Sequence, residues 1–282
     1  MRIDLHAHSA ISDGTDTPAE LVAEALRAGL DVVALTDHDT FDGLPEALAA
    51  GESLGVRVVP GVELSTEVAG RSVHLLGYGC HTDDPALLTE LALIRRGRDG
   101  RIPAMLAILA ELGMPLDPAV LARVSGSATS IGRPHLADAL VVQGYVADRT
   151  EAFDRLLADD GPAFVPRYAA PLEPAIRLIH AAGGVAVLAH PWGRVSREVL
   201  PEHYLGALAR DHGLDGIEVD HNDHDRATRA SLRELARRHG LLATGSSDYH
   251  GTGKRDHGLG VNTTSQQVLA EIDARIARRG GH

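Results

Sequence analysis

The sequence predicts an α/β fold: a barrel related to the (β/α)8 form that carries a mostly helical inserted subdomain. Three observations lead there. A strand–helix rhythm runs through the first 80 residues, stops from about 83 to 165, and then resumes to the C-terminus. Strand candidates such as Val185-Ala186-Val187-Leu188-Ala189 are apolar on both faces, as a parallel sheet covered all round requires. Neither an internal repeat nor a low-complexity linker divides the 282 residues. Residues 1–82 and 166–282 therefore read as one barrel domain, and 83–165 as an insertion leaving one βα connection.

Taken in order, the first strands are expected at 2–8, 31–37, 57–65 and 72–79, with amphipathic helices near 18–29 and 42–51. Thr17 is a plausible N-cap with Pro18 in the opening turn, and Gly29 and Gly51 are placed to end the two helices. In the insertion, Leu91, Leu93, Ile94, Ile102, Met105, Leu106 and Leu109 recur at helical spacing. Shorter helices follow near 117–124, 134–143 and 148–158, divided by Gly126, Gly132 and Gly144. Beyond it come a helix at 172–182, a strand at 185–190, a helix at 197–210 and a strand at 216–221. A helix at 224–239, a strand at 241–247 and a closing helix at 265–279 complete the chain.

Bulk composition narrows the function classes. Hydrophobic residues make up 44% and charged residues 23%, the balance of a globular rather than a disordered chain. Aromatics are scarce at 3%, so the core must come from Ala, Val, Leu and Ile. No apolar run approaches the roughly 20 residues of a membrane span, and Arg2-Ile3-Asp4-Leu5 opens a strand without the apolar stretch of a signal peptide. Membrane association is not expected. Cys80 is the sole cysteine, which excludes an intramolecular disulfide and suits a reducing compartment, so the expected location is the cytoplasm. The formal charge of −12, from 27 basic and 39 acidic residues, argues against capture of long duplex nucleic acid. A small phosphorylated substrate remains compatible, because bound divalent cations reverse the local field.

The chemistry lies in where metal-binding residue types fall. His6 and His8 close the first strand, and Asp37, His38 and Asp39 the second. Glu63 is near the end of the third, His74 lies in the fourth, and His190 ends the next. Asp220 and His221 close the one after, and Asp248 and His250 follow the last. In a parallel barrel all C-terminal strand ends meet at one mouth, so these residues would converge there. Residues i and i+2 of a strand share a face, which lets His6 and His8 bind one ion; Asp248 and His250 have the same spacing. Imidazole and carboxylate without thiolate suit Zn²⁺, Mn²⁺ or Fe²⁺. Two or three ions ~3.5–4 Å apart would clamp the attacking and leaving oxygens of a phosphoester displacement. Of the other histidines, His81, His203, His212, His239 and His282 fall in solvated positions, and His180 fits a core or surface role. His221 and His224 are left between a site role and a solvated helix start.

His6-Ala7-His8, Thr36-Asp37-His38, Gly61-Val62-Glu63, His74, His190 and Asp248-Tyr249-His250 together resemble the motifs of the PHP (polymerase and histidinol phosphatase) superfamily, from His6 to about Gly260. Ser12-Asp13-Gly14, Gly132-Arg133-Pro134-His135 and Gly251 are similar to the small bacterial nucleotide phosphatases of that superfamily. Some of these remove the 3′-phosphate of nucleoside 3′,5′-bisphosphates, and others trim short RNA from its 5′ end. The resemblance implies a distorted (β/α)7 barrel, TIM-like in form, and a centre of two or three divalent ions acting through a metal-activated hydroxide. It implies one ion on His6, His8, Glu63 and Asp248, a second on Glu63, His74 and His190, and a third on Asp13, His38 and His250. Many relatives carry His where this chain has Asp13; a carboxylate there favours Mn²⁺ over Zn²⁺ or Fe²⁺. Asp248, His38 and His190 stand closest to the reaction, and either histidine could protonate a leaving group if not bound to metal.

Substrate contacts are expected outside that set. Arg133 is the candidate clamp for a second phosphate, since guanidinium binds phosphate bidentately and Gly132 and Pro134 fix its loop. His135 would assist from the same turn, and Lys254 and Arg255 would meet an anion beyond Asp248-Tyr249-His250. Arg95, Arg98 and Arg101, at i, i+3 and i+6, make a basic stripe read as a solvated face or a pocket mouth. The expected reaction is hydrolysis of a nucleotide phosphomonoester, a nucleoside 3′,5′-bisphosphate first. Histidinol-phosphate phosphatase and an exoribonuclease on short RNA are the enzymatic alternatives. A non-catalytic metal-stabilised module, as fused to some DNA polymerases, fits poorly because the ligand set is intact.

Overall fold

The computed structural model describes residues 1–193 and 197–281. The first half of the barrel is β1 (Ile3–Asp4), α1 (Pro18–Arg27), β2 (Val32–Leu35), α2 (Leu44–Leu54), β3 (Arg57–Val68) and β4 (Arg71–Tyr78). A helical stretch follows: α3 (Pro85–Glu111), α4 (Pro118–Ser125), α5 (Arg133–Val142) and α6 (Arg149–Ala152), the last running into a π-helical turn at Phe153–Leu157. Then come β5 (Ala170–Pro171), α7 (Leu172–Ala181), β6 (Val185–Leu188), α8 (Glu202–Asp211), β7 (Gly216–Asp220), α9 (Arg226–His239), β8 (Leu242–Gly245) and α10 (Gln266–Arg279).

The sheet order β1-β2-β3-β4-β6-β7-β8 makes a nearly closed, distorted barrel of seven mixed strands, with β5 set against β3. One feature departs from the parallel sheet expected. β4 runs antiparallel to both β3 and β6. The cause is the link at Ala69 and Gly70, whose φ values of 50° and 73° suit a two-residue hairpin turn. So short a link cannot make the crossover that a parallel neighbour needs. Among the described residues the barrel closes beside its first and last strands through three backbone bonds, His8 N–H to Tyr249 O at 2.8 Å, Tyr249 N–H to His6 O at 3.4 Å and Thr264 N–H to Ile3 O at 2.9 Å. Buried Asp4 adds a carboxylate there, accepting from Ser247 N at 3.0 Å and Gly260 N at 2.8 Å.

Several boundaries differ from expectation for identifiable reasons. Helix α2 continues past Gly51 and ends at Gly55, whose φ of 74° supplies the left-handed cap. Helix α8 begins only after Pro201, which stands at its N-cap and disfavours helix in the residue before it. The start of α1 is as expected, with Thr17 and Glu20 closing a reciprocal capping box.

Apolar packing falls into three clusters. The largest joins the sheet to α1, α2, α7, α8, α9 and the first turns of α3, through residues such as Leu21, Leu44, Leu91, Ile176 and Leu235. A second, with Ile3, Leu5, Val59, Leu76 and Val187, is closed by Leu269, Ile272 and Ile276 of α10. The third lies among α3–α6, from Met105 and Leu109 to Leu136, Leu140 and Leu157. Among the described residues no helix is long and apolar enough to cross a membrane.

Candidate metal centre

Residues from every part of the barrel meet at one mouth. His6 and His8 follow β1, His38 follows β2, Glu63 lies in β3, and Asp248 and His250 follow β8. His74 arrives from the opposite strand direction: in the β3–β4 hairpin it pairs with Ser65, two residues past Glu63. Asp13 comes from the β1–α1 loop, where Gly14 packs so tightly that a Cβ would sit 2.3 Å from His8 O. His190 and Asp248 hold φ values of 30° and 53°, positive φ that non-glycine residues adopt only when surroundings enforce it.

Glu63 is the hub. Its Oε2 lies 3.2 Å from His6 Nε2, 3.1 Å from His8 Nε2 and 3.2 Å from His38 Nδ1. Its Oε1 lies 2.9 Å from His74 Nδ1 and 3.2 Å from His190 Nε2. Asp248 Oδ1 is 3.6 Å from His6 Nε2 and 3.5 Å from His8 Nε2. Asp13 is 3.3 Å from His250 Nε2 and 3.7 Å from His38 Nε2. His6, His8 and Asp248 form one group of donor atoms within 4.8 Å of one another; His38, Glu63 and His74 form a second; His8, Asp13, His38 and His250 a third. The sets overlap more than the motif-based partition implies, because His38 faces both Glu63 and Asp13.

Burial makes this arrangement costly without cations. Nδ1 of His38 and of His74 are buried without an aligned hydrogen bond among the described residues, and His6 Nε2 faces His8 Nε2 at 3.0 Å. Ring nitrogens converging on carboxylates in this way fit divalent cations held between them. The protonation pattern follows from the same geometry. Burial opposes a charge on His6, yet the carboxylates of Glu63, Glu218 and Asp248 outweigh it and hold the ring well above its usual range. Burial would lift Glu63, but His38, His74 and His6 draw it well below the usual carboxylate value. Burial, followed by the charge of His8, pushes His250 down to about 4.

Sequence reasoning missed the residues that orient these ligands. Glu218 of β7 is fully buried; Oε1 lies 3.1 Å from His6 Nδ1, which leaves Nε2 for the cluster, and Oε2 accepts from His190 N at 2.8 Å. An acid between Ile217 and Val219 in a buried strand was the available signal. Asp37 secures the Asp13 loop, accepting from Ser9 N at 2.8 Å and Ser12 Oγ at 2.6 Å. His221 and His224 are buried rather than a solvated helix start, and His257, not singled out from sequence, is buried beside them. His180 pairs with Asp215 at 2.9 Å, away from the centre, and His282 lies outside the described residues.

The expected substrate contacts are placed as follows. Arg133 donates to Leu157 O at 2.9 Å and Asp159 Oδ1 at 2.7 Å, and lies over the rings of Phe153 and Phe164. Buried His135 accepts from Gly132 N at 2.9 Å. Lys254 contacts Asp248 Oδ2, and Arg255 is exposed, 3.4 Å from Asp148. The arginine stripe of α3 is not a solvated face. Arg98 and Arg101 are each 7% exposed; Arg98 bonds Asp39 and Ser65, and Arg95 reaches Asp39 O.

A barrel mouth of this kind defines a hydrolase of the metal-dependent phosphoesterase class. The chain belongs to the PHP family, whose domain model, described as "PHP domain", matches residues 4–210. It is 37% identical to a 3′,5′-nucleoside bisphosphate phosphatase of Chromobacterium violaceum, over 98% of both chains. It is 34% identical to a 5′-3′ exoribonuclease of Haemophilus influenzae, covering 88% of this chain and 90% of that one. A crystal structure from Bifidobacterium adolescentis, described as a metal-dependent phosphoesterase, superposes with a TM-score of 0.92 at 36% identity, covering 97% of this chain and 96% of that one.

Proposed function

We propose that this phosphoesterase removes the 3′-phosphate of nucleoside 3′,5′-bisphosphates, with His6, His8, Asp13, His38, Glu63, His74, His190, Asp248 and His250 as its metal ligands. Two or three ions are held, Mn²⁺ favoured by the carboxylate of Asp13. Bound divalent cations neutralise a phosphoryl group and acidify water.

The observation that carries the substrate reading is an excess of positive charge beside the centre, buried at Arg98 and Arg101 and half-buried at Arg133 and Arg167. Arg98, Arg133 and Arg167 lie close enough to depress Arg101, and Arg98 and Arg133 close enough to depress Arg167, while the carboxylates acting on these two are Asp39 and Asp159. Burial first, then Arg133, Arg167 and Arg98, pulls Arg101 down to about 8. Burial and Arg98 pull Arg167 to about 10. Arg101 Nε is buried without a hydrogen-bond partner among the described residues. Arg98 donates to Ser65 Oγ at 2.9 Å, and Ser65 stands two residues from Glu63 and opposite His74. Four guanidinium groups against two carboxylates suit one phosphate dianion, bound within a ribose of the metal centre. Histidinol phosphate, with one phosphate, would leave this cage empty. A short 5′-phosphorylated RNA presents phosphorus on both sides of its first ribose, so the exoribonuclease reading draws on the same observation.

The test is a panel with Mn²⁺: adenosine 3′,5′-bisphosphate, histidinol phosphate, and a 5′-phosphorylated trinucleotide. Fastest phosphate release from the bisphosphate is expected. Preference for histidinol phosphate, or no release by metal-loaded protein, would sink the proposal.

A further inference from the structure

His221 follows β7 directly and is fully buried, its ring 5.2 Å from that of His190. With Asp248 and His257 it makes a fourth group of donor atoms within 4.8 Å of one another. The hydrogen bonding argues against a cation there. The backbone N–H of Asp223 donates to His221 Nδ1 at 3.1 Å, so the neutral ring carries its own hydrogen on Nε2. A nitrogen bearing hydrogen has no lone pair for a metal. Such a ring is no proton source for a leaving oxygen either, since losing the Nε2 hydrogen would leave an imidazolate. What remains is a fixed N–H donor.

Among the described residues the carboxylate nearest that donor is Asp248. Nε2 makes no aligned hydrogen bond among the described residues and lies 3.4 Å from Asp248 Oδ2. The two oxygens of Asp248 face different surroundings. Oδ1 turns to His6, His8 and His250, the last at 3.4 Å, whereas Oδ2 meets Lys254 Nζ and His221. We propose that His221 is a positioning residue: its Nε2–H, beside Lys254, holds the outer oxygen of Asp248 so that Oδ1 alone is offered to the metal centre. The role matches that of Glu218, which selects the ligating nitrogen of His6, and makes β7 the strand that orients ligands. It rests on the ligand set proposed above.

The experiment titrates metal-free protein with Mn²⁺ and counts bound metal by elemental analysis, for wild type, His221→Leu, His221→Gln and Asp248→Asn. His221→Leu should weaken Mn²⁺ binding on the order of 10- to 100-fold without lowering the number of ions bound at saturation. His221→Gln, which restores an N–H donor, should recover most of that loss and keeps the test decisive if the leucine variant folds poorly. At saturating Mn²⁺, turnover of p-nitrophenyl phosphate and of adenosine 3′,5′-bisphosphate should fall by the same factor, because a residue acting through Asp248 is indifferent to the leaving group. A fall confined to the nucleotide would make His221 a proton donor and overturn the proposal. So would loss of one metal equivalent in His221→Gln, or unchanged affinity in His221→Leu. Intact metal binding in Asp248→Asn would instead refute the ligand set.

Discussion

Replacing Arg101 by methionine separates function from stability. Arg101 is 7% exposed and held at about 8 by burial and by Arg133, Arg167 and Arg98. A cation whose folded value is depressed costs stability in full below that value, and the cost is relieved only as pH rises past it. At pH 7 the whole penalty is therefore present. The shift sets an upper bound of roughly 6 kcal/mol, and exchanging buried charges for apolar side chains of similar volume usually gains about 1–4 kcal/mol. Losing the 3.3 Å bond from Arg101 to Val165 O returns about 1 kcal/mol. The net of about 0–3 kcal/mol means that Arg101→Met should leave Tm unchanged or raise it by up to roughly 6 °C in phosphate-free buffer, followed by differential scanning fluorimetry. It should lower kcat/KM for adenosine 3′,5′-bisphosphate by roughly 10- to 150-fold, the value of a charged hydrogen bond of about 1.5–3 kcal/mol. Turnover of p-nitrophenyl phosphate, which has no second phosphate, should stay within about threefold. A drop in Tm together with equal losses on both substrates would show Arg101 to be structural and remove the basis of the cage.

Three further outcomes are expected. Glu63→Gln removes the charge of the carboxylate whose two oxygens face five histidines, three on Oε2 and two on Oε1; bound metal should fall and kcat should drop on the order of 10³-fold, and retention of both would refute the hub role. Gly14→Ala forces a Cβ to 2.3 Å from His8 O, costing about 1–3 kcal/mol and displacing Asp13; a thermal melt and a metal count unchanged from wild type would contradict it. Nearby carboxylates, against the opposing effect of burial, hold His6 well above its usual range and raise His8, so Mn²⁺ binding should release protons. Calorimetry in buffers of different ionisation enthalpy should detect that release and an affinity that climbs with pH, whereas binding without protons would mean the rings are already neutral.

The parts of the site that could be read from sequence were those with local spacing rules. His6 and His8 two apart on a strand, and Asp248 and His250 after the last strand, needed only strand periodicity and barrel topology. His74 was found with the wrong geometry in mind: the signal for its hairpin was Ala69-Gly70 between two strand candidates, and a parallel reading ignored it. Glu218 escaped, and Asp37 was placed at the mouth without its loop-holding role, because both roles arise from partners in other segments. Spacing alone left the α3 arginines between a solvated face and a pocket mouth. A helical stripe of charge is ordinarily solvated, and the partners that enclose this one, Asp39, Ser65 and Val165 with Gly132 beside Arg98, come from distant segments. His221 shows the limit: its role depends on one backbone amide choosing a tautomer, which no composition or spacing encodes.

The sparse bonding between β1 and β8 gives the proposed metal ligands a second significance. His6 and His8 come from the start of the chain and Asp248 and His250 from near its end, and they face each other across that seam. A cation shared between them would act as a rivet through the first and last staves of a cask. Tying such distant segments removes much of the freedom available to the unfolded chain, and a ligand that grips only the assembled form adds its binding energy to folding. Chelation would then do more than silence the chemistry: the seam should become the first place to admit proteases and exchange its amides, while the β3–β4 hairpin, joined by a local turn, stays shut.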